Sequence, residues 1–240
     1  MKLCVAQTRP IKGDIEKNIQ NHLRLIELAV SNHVETIIFP ELSLTGYEPT
    51  LAKDLATNQH DNRFEIFQKI SNSNAIRIAV GIPTKYEEKI HISLVIFQPN
   101  EEVRLYSKKF LHADEEPFFT SGQSLTNFIG NEIALAICYE LSVAAHIEKS
   151  FSDGAKIYIA SVAKSKDGVE KAFKSLSEIA KKYELTVLMS NCLGKNDDFV
   201  SSGNSAIWNN KGELLAHLND ADEGILIYDT ETKMITEIVI

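Results

Sequence analysis

The 240-residue sequence predicts an α/β fold with a two-layer sheet core, and two observations carry that reading. Short β-like runs alternate with longer stretches of helical period through most of the chain. The C-terminal part is β-rich, with turn signals between short apolar runs. No linker, low-complexity tract or internal repeat interrupts the pattern, so residues 1–240 are expected to form a single domain.

The elements follow in order. Leu3–Gln7 reads as the first strand. Asp14–Val30 carries Ile15, Ile19, Leu23, Leu25, Ile26 and Ala29 near helical spacing, with Asp14 as its cap. Glu35–Phe39 is a short apolar strand ending at Pro40. Asn62–Ser73 reads as a second helix, and Ile76–Ile82 and Ile90–Phe97 as strands. Glu102–Tyr106 is a hairpin partner across the Pro-Asn-Glu-Glu turn. Leu125–Ile129 and Ile133–Ile137 form a strand pair around Gly130-Asn131, a good hairpin turn. Helices are expected at Val143–Ser152 and Gly168–Tyr183. Strands are expected at Lys156–Ala160, Thr186–Ser190, Asn204–Trp208, Leu214–His217 and Gly224–Tyr228, with Asn210-Lys211-Gly212 as a turn. An apolar tail such as Met234–Ile240 is often buried, and a second subunit is one surface that would cover it.

Bulk properties narrow the function. A formal net charge of −8 argues against a nucleic-acid binder, which needs a clustered positive field. It gives no support for binding anionic membranes either. No apolar run approaches the roughly 20 residues of a spanning helix. The opening MKLCVAQTRP turns polar too soon for a signal peptide. Cys4, Cys138 and Cys192 are odd in number and far apart, with neither zinc spacing nor a disulfide framework. Reduced thiols in the cytoplasm are the expectation, and each alone is most simply core filler. With no ligand cluster at metal spacing and no glycine-rich phosphate loop, no metal and no organic cofactor is expected.

Three places share one design: an apolar strand running into a polar, reactive side chain. Glu41 follows a strand in TIIFPELSLTGY, Lys108 and Lys109 follow one in RLYSKKFL, and Cys138 ends one in ALAICYEL. Strand ends of α/β folds are where reactive groups converge. Singly, Glu41 reads as a surface carboxylate, the lysines as a solvated pair and Cys138 as core. Jointly they form an acyl-transfer set. A carboxylate whose pKa is raised by burial can deprotonate a thiol, and a cation can stabilise the oxyanion formed on attack. The histidines offer less. A Cys/His pair using His112 or His146 has none of the local signatures of such enzymes.

At these residues the chain resembles the nitrilase, or carbon–nitrogen hydrolase, superfamily. FPELSLTGY is similar to the family's glutamate motif, YSKKFL to its lysine motif, EEPFFTSG to its second glutamate stretch and ICYE to its nucleophile motif. The opening MKLCVAQTRPIKGDIEKNI and the later GNSAIWNNKGELLA extend the likeness over nearly the whole chain. The resemblance implies a four-layer α-β-β-α sandwich of two packed sheets flanked by helices, and commonly a homodimer or higher homo-oligomer. It implies Cys138 as nucleophile, Glu41 as general base, and Lys108 rather than Lys109 as catalytic lysine. Glu115 rather than Glu116 becomes the supporting glutamate. The Tyr139 backbone N–H would join Lys108 at the oxyanion, on a tight turn that also favours a low-pKa thiol.

The implied reaction is cleavage of a non-peptide C–N bond in a small amide, ω-amide, nitrile or carbamoyl substrate through a cysteine thioester. The pocket would draw on Tyr47, Phe118, Tyr139, Ser161–Lys166 and Asn191. Lys164 would take an anionic substrate end, and its bland reading is a solvated lysine. After Cys-Tyr-Glu the family often continues Leu-Arg-Phe-Pro-Glu, whereas this chain reads Leu141, Ser142, Val143, Ala144, Ala145. The altered segment Ser142–Ala145 is therefore expected to bear on which amide is cut. The rival reading is a catalytically idle binding module on the same fold. A membrane-linked acyltransferase and an unrelated ligand-binding domain are more distant alternatives.

Overall fold

A computed structural model describes residues 1–124 and 126–240. Along the chain, β1 (Lys2–Gln7) leads to α1 (Ile15–Ser31), β2 (Thr36–Ile38), the short α2 (Ala52–Leu55) and α3 (Glu65–Asn74). There follow β3 (Arg77–Tyr86), β4 (Lys89–Phe97), β5 (Arg104–Ser107), β6 (Phe128–Ile129), β7 (Ile133–Ile137), α4 (Ala144–Ser152), β8 (Ile157–Val162) and α5 (Lys166–Tyr183). The chain closes with β9 (Thr186–Asn191), β10 (Leu193–Lys195), β11 (Val200–Ser202), β12 (Ala206–Trp208), β13 (Leu214–His217), β14 (Gly224–Asp229) and β15 (Ile235–Val239).

Two mixed sheets pack face to face. One is ordered β15-β14-β1-β2-β3-β4-β5 and the other β13-β12-β9-β8-β7-β6. Period-two alternation assigns each strand's residues to a layer. Leu3 and Val5 of β1 point into the layer between the sheets, with Ile38, Ala79 and Leu94, and meet Leu135, Ile159 and Leu188 of the other sheet. Cys4 and Ala6 point outward, beneath Ile19, Leu25 and Ile26 of α1 and Phe67 of α3. On the far side, Ala136, Ala160 and Met189 pack under Ile147 of α4 and Ala172 and Leu176 of α5. The architecture is thus helix, sheet, sheet, helix. Asp14 caps α1 by accepting from the Lys17 N–H at 3.1 Å.

The sheets are locked at one end by side-chain bonds between layers. Ser161 Oγ donates to the Phe39 carbonyl at 2.8 Å, and Ser190 Oγ to the Ala6 carbonyl at 2.6 Å. Strands β1, β2 and β3 are parallel, β5 returns to their direction, and β7, β8 and β9 are parallel. The C-terminal ends of β2 and β5 in one sheet and of β7 and β8 in the other therefore open toward one region, the usual place for a site in such folds.

Two readings change and one element is new. Only Phe128–Ile129 of the Leu125–Ile129 run pairs with β7, and Leu125 lies outside the described residues. The tail is not buried within the chain. It forms edge strand β15 against β14, and Met234 keeps 67% of its surface exposed. The β10–β11 hairpin was not anticipated. No described helix is long and apolar enough to cross a membrane.

Candidate active site

Each functional side chain stands on backbone held from behind. Past β2, Phe39 N–H donates to the Ala79 carbonyl at 2.9 Å, and Leu44 N–H to the Gly81 carbonyl at 2.9 Å. The Glu41 loop therefore lies directly on β3. A Cβ on Gly81 would sit 2.4 Å from both Leu42 N and Pro40 O, which is why a strand interior tolerates glycine there. Lys108 continues β5, its N–H donating to the Ile92 carbonyl at 2.8 Å. Gly122 closes on it from the other side, donating to the Lys108 carbonyl at 2.7 Å. Glu115 sits on a turn in which His112 N–H donates to Glu115 Oε2 at 2.8 Å.

Cys138 follows β7 with φ 44°, a conformation L-residues seldom adopt, and opens a 3₁₀ turn over Cys138–Ser142. A helical turn leaves its first N–H groups without internal partners, and Tyr139 is the second residue of this one. Helix α4 begins only at Ala144, after that turn.

The side chains meet at Lys108. Its Nζ donates to Glu41 Oε1 at 2.8 Å and to Glu115 Oε1 at 2.6 Å, with all three side chains at most 2% exposed. Tyr47 Oη donates to the same Glu115 oxygen at 3.1 Å. Burial raises the pKa of Glu41, against the pull of Lys108, and Glu115 adds to the rise. Burial alone would lower the pKa of Lys108, but Glu41, Cys138 and Glu115 outweigh it and hold the ammonium above its ordinary range. Cys138 lies close enough to Glu41 to lower that carboxyl's pKa as a hydrogen-bonding neighbour, although Glu41 Oε2 has no partner of strict geometry. Burial and the Glu41 charge push the thiol up to about 11, with Lys164 and Lys108 pulling it partly back. The expected low-pKa thiol is thus corrected: neighbouring carboxylates and desolvation outweigh the turn and the lysines.

A pocket of about 270 Å³ opens over this cluster. Cys138, Glu115, Tyr47, Tyr139 and Lys164 all line it, while the buried Glu41 and Lys108 do not and join the group through the Lys108 ion pairs to Glu41 and Glu115. Asn191 does not line the pocket. It clamps the Lys164 backbone, accepting from its N–H at 2.9 Å and donating to its carbonyl at 3.2 Å. Phe118 is also off the pocket, and Ser161 is spent on the other sheet. Lys109 and Glu116 do not join the cluster. The Lys109 N–H donates to Glu140 Oε1 at 2.7 Å, and Glu116 is exposed.

Ser142 and Ala144 line a separate groove between α4 and α5 rather than the Cys138 pocket. Sequence reasoning missed His112, Asp114, Asp198 and Phe199 as pocket residues. The last two ride on the β10–β11 hairpin, whose turn residues carried no pattern. Neither histidine considered as a base is bonded to Cys138. His112 Nδ1 lies 2.5 Å from Asp114, and His146 is bonded to Tyr106 and Tyr158. Cys4 and Cys192 are buried core residues.

The model of the carbon-nitrogen hydrolase family matches residues 2–238. The chain belongs to the carbon-nitrogen hydrolase family. Among relatives of this carbon-nitrogen hydrolase, a glutamine-dependent NAD(+) synthetase of Aquifex aeolicus is 28% identical over 94% of the chain. The match spans 41% of that synthetase, so the chain corresponds to less than half of it. A 2-oxoglutaramate amidase of Bacillus subtilis is 24% identical over 89% of this chain and 84% of its own. An amidase of Nesterenkonia sp. AN1 shares the fold at TM-score 0.84 and 19% identity, over 100% of this chain and 90% of that one. It was solved as a mutant with the acetamide moiety of fluoroacetamide added covalently at its active-site cysteine. The hydrolase thus shares its helix–sheet–sheet–helix fold with the Nesterenkonia amidase.

Proposed function

We propose that the protein hydrolyses the C–N bond of a small amide through a thioester on Cys138. The observation that carries this reading is the buried Lys108 ammonium shared by Glu41 at 2.8 Å and Glu115 at 2.6 Å beneath the half-buried thiol. A thiol held near pKa 11 is protonated at rest, so attack needs a base at the moment of bond formation. Glu41 takes that proton as Sγ adds to the carbonyl carbon, then delivers it to the departing nitrogen. Lys108 Nζ and the Tyr139 N–H hold the oxyanion, a donor being worth about 3–4 kcal/mol of barrier. Water deprotonated by Glu41 then cleaves the thioester, releasing the acid and the thiol. Glu115 keeps Lys108 charged and aimed.

Lys164 makes no ion pair among the described residues and lies in the pocket wall. It suits a substrate with an anionic group at the end opposite the amide. Relatives named for glutamine and 2-oxoglutaramate carry ω-amides of that kind and support the choice. The reading is tested by ammonia release from a panel of neutral and carboxylate-bearing amides. Turnover by the wild type that disappears in Cys138→Ala supports it; turnover that survives the change removes it, and a folded wild type inert toward the whole panel favours the idle binding module.

A further inference from the structure

Glu140 is a third buried carboxylate beside the site, and the mechanism above does not use it. It is fully buried, and among the described residues its one ion-pair neighbour is His146, with no lysine or arginine. Four protein groups donate to it instead. Oε1 accepts from the Lys109 N–H at 2.7 Å and, more weakly, from the Phe110 N–H at 3.4 Å. Oε2 accepts from the Ile137 N–H at 2.8 Å and from Tyr106 Oη at 2.7 Å. His146 Nε2 lies 3.5 Å from the same oxygen and 2.9 Å from Tyr106 Oη.

The positions of these donors matter. Lys109 is the residue after Lys108, and Ile137 is the residue before Cys138. One carboxylate therefore binds the backbone flanking the lysine in one sheet to the backbone flanking the thiol in the other. Cys138 also holds the uncommon φ of 44°, which persists only where surrounding bonds over-determine it. Charged acceptors make the stronger hydrogen bonds, and a buried carboxylate satisfied wholly by N–H and O–H donors is rigid.

We propose that Glu140 is a positioning residue that sets the spacing between Lys108 and the Cys138 thiol. The inference rests on Cys138 and Lys108 acting together, as in the reading above. An amide cannot replace the carboxylate, because its NH₂ would face an N–H donor on one side or the other.

The experiment reads the thiol directly and needs no substrate. Folded wild type and Glu140→Gln are treated with iodoacetamide at pH 8.5, and the alkylation rate at Cys138 is followed by peptide mass. Ser150→Ala is the control. It removes a partly buried bond from Asn127 at 3.0 Å in the same network without touching either flanking segment. A tenfold or greater slowing in Glu140→Gln is expected, with Ser150→Ala within twofold of wild type even where its Tm falls. Glu140→Asp, which keeps the charge one methylene short, is expected between them and decides the matter where Glu140→Gln does not fold. Either folded Glu140 variant reacting within twofold of wild type, or slowing matched by Ser150→Ala, overturns the proposal. An inert wild type in the ammonia assay, with the alkylation pattern intact, removes only the amidase reading.

Discussion

Lys108 Nζ donates to Glu41 Oε1 at 2.8 Å with neither side chain exposed to water. A buried pair of this kind is costly to break, because removing one partner strands the other's charge. Lys108→Met leaves two buried carboxylates, Glu41 and Glu115, facing each other without a cation. We expect it to destabilise the fold by about 3–5 kcal/mol and to abolish turnover. Urea unfolding and the ammonia assay check both. Lys109→Ala should stay within about twofold of wild type, since that residue's useful contact is its backbone N–H.

The pH profile should carry the mark of Glu41. Burial raises its pKa, and the base must be ionised to work, so the acid limb of kcat/KM should lie above the ordinary glutamate value of about 4.3. The sign for stability is the same. A carboxyl whose folded pKa exceeds its unfolded one favours the fold below the unfolded value. That contribution is lost as pH rises through the folded value. Cys138 acts likewise at the other end, its contribution being lost between the ordinary thiol range near 8.5 and about 11. An acid limb at or below the ordinary carboxylate range would contradict the role of Glu41.

Lys164→Ala should discriminate between substrates. A charge-assisted bond is worth about 1.5–3 kcal/mol, so KM for amides bearing a carboxylate should rise roughly 10- to 100-fold. Neutral amides should change little. Equal effects on both classes, or none on either, would remove Lys164 from substrate recognition.

Gly81→Ala tests the support beneath Glu41. The added methyl falls 2.4 Å from Pro40 O and Leu42 N, backbone that cannot swing aside. A loss of about 1–3 kcal/mol in stability is expected, with a fall in kcat as the Glu41 loop shifts. Thermal unfolding and steady-state kinetics report each effect.

The layered fold was legible because β1 and its neighbours alternate their apolar faces with period two and α1 and α5 keep helical spacing. Glu41, Lys108 and Cys138 were legible as polar residues ending apolar strands. Glu115 is buried where Glu116 is exposed, yet only the spacing of a known motif separated them. Glu140 was invisible for a physical reason: its donors on Tyr106 and Lys109 lie 34 and 31 residues away, and a lone carboxylate after a strand resembles a surface residue. Asp198 and Phe199 were missed because the strands beside them, Leu-Gly-Lys and Val-Ser-Ser, carry no apolar alternation. Backbone strain at Cys138 leaves no trace in composition either.

The central claim is a covalent acyl-enzyme on Cys138. It is tested most directly by intact mass and peptide mapping of enzyme quenched during turnover of an ω-amide. The account predicts an added acyl mass on the Cys138 peptide that decays as substrate is exhausted and is absent in Cys138→Ala. Turnover with no adduct at Cys138, or with the acyl group carried by Cys192 or Cys4, would contradict it.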